Sequence, residues 1–186
     1  MATTLTPMNP AVRYREEGRR LLATMYIKGI ASPNIPFAAG QFLRKDTSNR
    51  LVPCVTSVAA LPTSGGIQYV AQSDAAVGAS GTDTVSATVE VIRNDMIFEG
   101  NTYSTNTAGG TTIADTDIGT QCGIFVSAIS PTGSIVSVDI YNKTDFAVEI
   151  TDVGYVFDPA AFNSTDIYAK CRFRVLQTAI DCAEAG

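Results

Sequence analysis

Residues 115–158 read DTDIGTQCGIFVSAISPTGSIVSVDIYNKTDFAVEITDVGYVFD, four short apolar runs separated by turn residues. Val136, Val138 and Ile140 alternate with Ser137 and Asp139; Phe146, Val148 and Ile150 alternate with Ala147, Glu149 and Thr151. A period of two sends successive side chains to opposite faces of a strand, one set to a core and the other to water. Between the runs, Ser130-Pro131-Thr132-Gly133 places proline where a type I turn needs its fixed φ and glycine where the chain leaves it, and Asn142-Lys143-Thr144-Asp145 is a second turn of that kind. The stretch predicts an antiparallel meander on which the rest of the chain is built.

The flanks extend this sheet. Val85, Ala87, Val89 and Val91 alternate with Ser86, Thr88 and Glu90, and Ile97-Phe98 is expected to pair nearby. Residues 37–43 and 51–55 flank the polar turn at 46–49 and predict a hairpin, and residues 67–70 form a short strand between glycine-rich loops. Residues 101–112, rich in Thr, Asn and Gly, are expected as an exposed loop. Asp158-Pro159 breaks the sheet, which resumes over residues 167–176 with Cys171, Phe173 and Val175 opposite Lys170, Arg172 and Arg174. Many short strands with regular turn signals predict an all-β fold, an antiparallel β-sandwich or barrel-like domain over residues 25–177. An N-terminal arm or short helix over residues 1–24 and a fraying tail over 178–186 complete it. With 186 residues, 45 % of them hydrophobic, one such domain can bury a core without disulfides or metals.

Residues 1–9 are a polar tail, expected to lack fixed structure until something holds them. After them, Asn9-Pro10 suits a helix N-cap and first turn, and Tyr14, Gly18, Leu21, Leu22 and Met25 share one face at helical spacing. A short amphipathic helix is the first expectation, although Gly18 within it costs about 1 kcal/mol relative to alanine. An extended arm that adds to a partner's sheet is the second. Charge is divided unevenly: residues 1–50 hold eight Lys/Arg against three Asp/Glu, a net of +5, whereas residues 51–169 carry a net of −11. Glu16 and Glu17 dilute the basic cluster, Tyr14 is its only aromatic, and the whole chain is acidic at −5, so nucleic acid is not the expected partner. A basic end on an acidic body suits docking onto an acidic protein surface, a neighbouring copy included. Tyr14, Arg15, Arg19, Arg20, Leu21 and Leu22 are the candidate partner-binding residues; the plain alternative is that Leu21, Leu22 and Met25 only cover the barrel.

The search for chemistry returns absences. The chain has no histidine, which removes the Ser-His-Asp, Cys-His and histidine-metal mechanisms. Neither a Walker-type nor a Rossmann-type glycine loop occurs. Asp115-Thr116-Asp117-Ile118-Gly119 has half the spacing of a calcium loop but lacks the remaining ligands, and reads as an acidic turn capping a strand. Asp139 and Glu149 fall on polar strand faces, where solvated carboxylates are ordinary, so no glycosidase pair is assigned. Cys54, Cys122, Cys171 and Cys182 form no C-x-x-C pair and read as small buried hydrophobes. No secretory h-region or membrane-length apolar run is visible, so cytoplasmic synthesis is expected and the two N-x-T sequons carry no weight. No enzyme, cofactor or metal is expected.

The pattern Phe37-x-x-Gly40-x-Phe42-Leu43, a polar turn, Leu51-Val52-Pro53 and then Tyr69-Val70-Ala71 resembles the hairpin of tailed-bacteriophage head decoration (cement) proteins. Asp117-Ile118-Gly119-x-x-x-Gly123-Ile124, Val136-x-Val138-Asp139 and Val148-x-Ile150-x-Asp152 share the cadence of small phage structural proteins, so the resemblance spans about residues 37–157. It implies a virion protein of the capsid exterior, binding the major capsid protein and commonly a homotrimer, with the arm as anchor. On that reading, removing residues 1–23 should leave a folded domain that no longer binds shells. A phage tail tube subunit or fibre-associated module shares the same profile, and a carbohydrate-binding β-sandwich is the third class, weakened by the scatter of its tyrosines.

Overall fold

The computed structural model describes residues 9–28, 38–54, 66–74, 85–103, 113–126, 135–154 and 169–180. Among them are eleven strands: β1 Ala11–Arg15, β2 Leu22–Tyr26, β3 Phe42–Lys45, β4 Leu51–Pro53, β5 Tyr69–Ala71, β6 Ser86–Val91, β7 Met96–Tyr103, β8 Gln121–Val126, β9 Val136–Asp139, β10 Val148–Val153 and β11 Lys170–Val175. The all-β expectation holds, and its form is barrel-like.

One sheet runs β1-β7-β11-β10-β8-β9, and β9 returns to pair with β7, which closes five of its strands into a barrel. The long strand β7 makes this possible by sharing one edge between two partners. Its first half pairs antiparallel with β1, from Arg15↔Met96 to Ala11↔Glu99, and its last two residues pair in parallel with Val138 and Asp139. Asn9 seals the junction, its side-chain carbonyl accepting the Val136 N–H at 2.8 Å. Inward-facing residues follow the period of two: Met96 and Phe98, Cys122 and Ile124, Val136 and Val138, Cys171, Phe173 and Val175 are all buried. An irregularity between Ile150 and Asp152 lets Val148, Ile150 and Val153 all face the core.

The second sheet runs β2-β6-β5-β3-β4 and curls back on itself through a parallel bridge between Ile27 and Leu51. Ile27, Leu43, Leu51, Tyr69, Ala71, Ala87 and Val89 fill its inside. Its other face packs on the barrel: Phe42 and Val70 belong to the larger core, where the Phe42 ring meets Phe98 edge-on at 5.3 Å and Phe98 stacks on Phe173 at 5.8 Å. Strands β3 and β5 are therefore covered on both faces, which is why Phe42-Leu43 and Tyr69-Val70-Ala71 read as continuous apolar runs. Each fully buried phenylalanine contributes about 1.5–3 kcal/mol through its burial.

Several expectations are corrected. No helix forms near residue 10: β1 and β2 are extended, and they pair within this chain, β1 with β7 and β2 with β6. Residues 11–26 are thus part of both sheets and not an appended arm. Strands β8 and β9 do form a hairpin, but β10 pairs with the far edge of β8, so the stretch is not a simple meander. Ser137 and Asp139, expected in water, are 3 and 1 % exposed, while Phe146 is exposed at 40 % and Ala147 is buried in its place. Residues 101–103, assigned to a loop, end β7, with Asn101 and Thr102 buried. Residues 178–180, assigned to a fraying tail, lie in the helical turn Gln177–Ile180, whose buried Ala179 accepts the Ile67 N–H at 2.9 Å. Residues 1–8, the 130–133 turn, the break at 158–159, Cys182 and most of the 101–112 run lie outside the described residues.

The hairpin over β3 and β4 stands as expected, and its turn is organised by Asp46. One carboxylate oxygen accepts the N–H groups of Ser48 and Arg50, both at 2.9 Å, and the other receives the Lys28 ammonium at 3.1 Å. Asn49 takes the left-handed conformation at φ 59°, which asparagine tolerates. Burial alone would raise the Asp46 carboxyl, but the Arg50 and Ser48 N–H groups and the Lys28 ammonium outweigh it and hold its pKa below the ordinary value. A depressed folded-state pKa means stability that is present above the unfolded value, about 3.9, and lost as pH falls through the folded value. Asp46→Ala should therefore lower stability by about 1–3 kcal/mol at neutral pH. The gap to the unsubstituted protein should narrow at pH 3, as read by urea unfolding at both pH values.

Candidate functional site

The predicted partner-binding residues lie along β1, a tight turn and β2, and the chain puts them to two different uses. Arg15 ends β1 on the barrel, and its guanidinium reaches Glu90 of β6 in the second sheet, with Nε to Oε1 at 2.5 Å and Nη2 to Oε2 at 2.8 Å. Arg20 adds a weaker contact to the same carboxylate at 3.4 Å and donates its Nη2 to the side chain of Gln72. Glu90 is 1 % exposed, so this charge-assisted fork satisfies a carboxylate that the strand pattern had assigned to water. Arg15 and Arg20 are joints between the two sheets.

Below this joint is a cleft of about 490 Å³, lined by residues that include Asn9, Pro10, Gly40, Val70, Gln72 and Glu90. Gly40 sits at φ +77° against the Pro10 carbonyl, closer than any side chain there allows. The Glu90 carboxylate at the cleft is engaged by two guanidinium groups, which suits it to holding the two sheets together.

The remaining predicted residues face outward. Tyr14, Leu21 and Leu22 are 56, 46 and 51 % exposed. Arg19 is exposed too, with its carbonyl accepting from Arg93 Nη1 at 3.3 Å. Gly18, at φ +64°, makes the turn between the strands, its N–H returning to the Arg15 carbonyl at 3.1 Å. Tyr26, 57 % exposed, was missed because helical spacing selected Met25. Period-two alternation along β2 places Leu22, Thr24 and Tyr26 on its outer face, and that signal was available in the sequence. The Arg50 guanidinium lies over the Tyr26 ring at 5.9 Å. Four exposed apolar side chains thus lie along β1, the turn and β2, a stretch that also carries Arg13, Arg19 and Arg20 and the exposed Glu16 and Glu17.

Elsewhere, charged groups are paired across strands. On the outer face of the barrel Arg13, Glu99, Arg172 and Asp152 alternate in sign across β1, β7, β11 and β10, with contacts of 3.2, 3.5 and 4.0 Å. Glu149 accepts from Arg174 at 3.0 Å, and Asp117 accepts the Ala114 N–H at 2.9 Å. Among the described residues no three His, Cys, Asp or Glu side chains converge to hold a metal ion, and no helix is long and apolar enough to cross a membrane. Cys54, Cys122 and Cys171 are buried free thiols, and burial pushes the Cys54 thiol up to about 12.

The chain matches no protein-family model, and neither a curated protein nor a solved structure matches it.

Proposed function

We propose that this chain is a structural protein of a phage virion, a decoration subunit that lies on the outside of the head and braces the lattice of the major capsid protein. The observation that carries the reading is the exposure of Tyr14, Leu21, Leu22 and Tyr26 in a stretch that also carries Arg13, Arg19 and Arg20, held on strands of two sheets that both curl toward closure. Aromatic, leucine and arginine side chains together form the usual anchor of a protein contact, and fixing them on paired strands removes the ordering cost of binding. The partner that such a stretch suits is an acidic protein surface, which on this reading the shell subunits would present. Each copy needs only a modest interface, because linked contacts in a lattice add avidity.

The test is to band particles from a lysate of the source on a density gradient and count copies of this chain against the major capsid protein. Copies in a fixed, near-stoichiometric ratio to the capsid protein on DNA-filled heads are the expected result. A few copies travelling with tails would move the chain to the tail, and absence from particles would end the virion reading.

A further inference from the structure

Strand β1 is the outermost strand of the six-stranded sheet, and among the described residues only β7 pairs with it. The phase of that pairing decides which backbone groups are left over. Thr102 N–H donates to the Ala169 carbonyl at 2.7 Å, so every second β7 residue back from it, Gly100 and then Phe98, bonds to β11. Phe98 is the residue opposite Val12 and has no backbone group to offer it. Val12 therefore turns its N–H to the open edge of β1, where no described residue accepts it.

That edge forms one wall of the cleft between the sheets. Ala11 and Val12 line one side, and Ala39, Val70 and Ala71 line the other. At one end the Pro10 carbonyl meets Gly40, and at the other Arg15 reaches across to Glu90. Pro10 to Arg15 spans about 17 Å of extended chain. The volume of about 490 Å³ falls within the usual range of binding pockets, about 300–1,000 Å³. An unpaired strand edge is a template for another chain, and one recessed against an apolar wall admits only a thin occupant.

We infer that the cleft takes a short, uncharged, extended peptide segment of a partner protein, added as a strand along the open edge of β1. The peptide backbone carries the carbonyl that the Val12 N–H lacks, and main-chain bonds of this kind give strand addition its affinity. Arg15 and Arg20 already engage Glu90, so the apolar wall is what remains to be recognised. Small apolar side chains fit walls of alanine, valine and glycine. Two copies cannot set β1 against β1, because each strand is walled by its own second sheet. The inference goes beyond the head assignment and does not depend on it.

The experiment is an NMR titration of the full, isotope-labelled chain with the blocked peptide acetyl-Thr-Ala-Thr-Ala-Thr-amide. The amide signals of Val12, Gly40 and Gln72 should shift together and saturate, and the Val12 N–H should gain protection from exchange. Two further peptides carry N-methyl groups, one on its alanines and the other on its inner threonine. Alternate amides of a paired strand point to opposite edges, so one pattern should weaken binding by at least about tenfold and the other should leave it unchanged. Val12→Pro removes an N–H that β7 does not use, on an edge strand where proline is tolerated, and should weaken binding about tenfold with cooperative unfolding retained. No shift at millimolar peptide, or indifference to which amides are methylated, would overturn the inference. Shifts of the Val12 amide that follow protein concentration without peptide would overturn it in favour of a second copy. Particle counting reads the head assignment separately, so either reading can fail alone.

Discussion

A chain lacking residues 1–23 is expected to yield no folded domain. The deletion removes all of β1, which covers the first half of one β7 edge, and the Leu22↔Glu90 and Ala23↔Val89 pairs that begin β2. Val12 is lost from the main core, and the barrel loses the strand that lies beside β9 at its seam. Four arginines also go, three of them paired with buried carboxylates: Arg13 leaves Glu99, which is 7 % exposed, and Arg15 and Arg20 leave Glu90 at 1 %. Stranding one buried carboxylate costs about 3–5 kcal/mol, and a domain has about 5–15 in total. Urea unfolding followed by circular dichroism checks this, after refolding if the truncated chain is insoluble. The expected trace has no cooperative transition, and a native-like transition would show that β1 and β2 are dispensable. Truncation is therefore the wrong tool for testing contact residues, and substitutions of exposed side chains such as Leu22→Ser are the right one.

The expectation of a removable arm came from choosing the wrong period over residues 10–25. Tyr14, Gly18, Leu21, Leu22 and Met25 fit a helix, yet two five-residue strands joined by a glycine turn fit the same letters, and a short apolar set cannot separate them. Gly18 was the deciding residue: costly inside a helix, it is at home at φ +64°. Period-two signals elsewhere were legible, and Ala87 and Val89, Val136 and Val138, and Cys171, Phe173 and Val175 all face cores as the alternation requires. Faces of polar residues were less legible, because burial of a polar side chain depends on a partner distant in sequence. Glu90 is buried by Arg15, 75 residues away, and nothing local marks that pairing. The order of β8, β9 and β10 was illegible for a similar reason, since either edge of β8 suits the Val148 face. For the candidate site, the exposed Tyr14, Leu21 and Leu22 were readable as apolar residues among cations. The exposure of Phe146 was hidden by a period-two reading that assigned it to the core that Ala147 enters instead.

The Arg15–Glu90 joint should show a strong asymmetry between removing one partner and removing both. In Arg15→Met the buried Glu90 carboxylate keeps Arg20, at 3.4 Å and half exposed, as its remaining direct ion-pair contact, with Arg93 acting on it from farther off. A stability loss of about 3 kcal/mol is expected, the low end for an uncompensated buried charge because Arg20 stays. Glu90→Gln should cost less: the amide keeps an acceptor for one guanidinium, and the Arg15 and Arg20 side chains, 19 and 50 % exposed, can turn toward water. The double variant Arg15→Met/Glu90→Met should recover most of the loss, since an apolar pair of similar volume avoids the desolvation of two ions. Urea unfolding of the unsubstituted protein, Arg15→Met, Glu90→Met and the double variant closes a cycle that gives the coupling energy, and repeating it at high salt separates buried from exposed contributions, because screening acts weakly on a buried pair. A loss under about 1 kcal/mol for Arg15→Met would place the pair among exposed ion pairs of little worth, and the two sheets would then be held by the Phe42, Phe98 and Phe173 contacts without it.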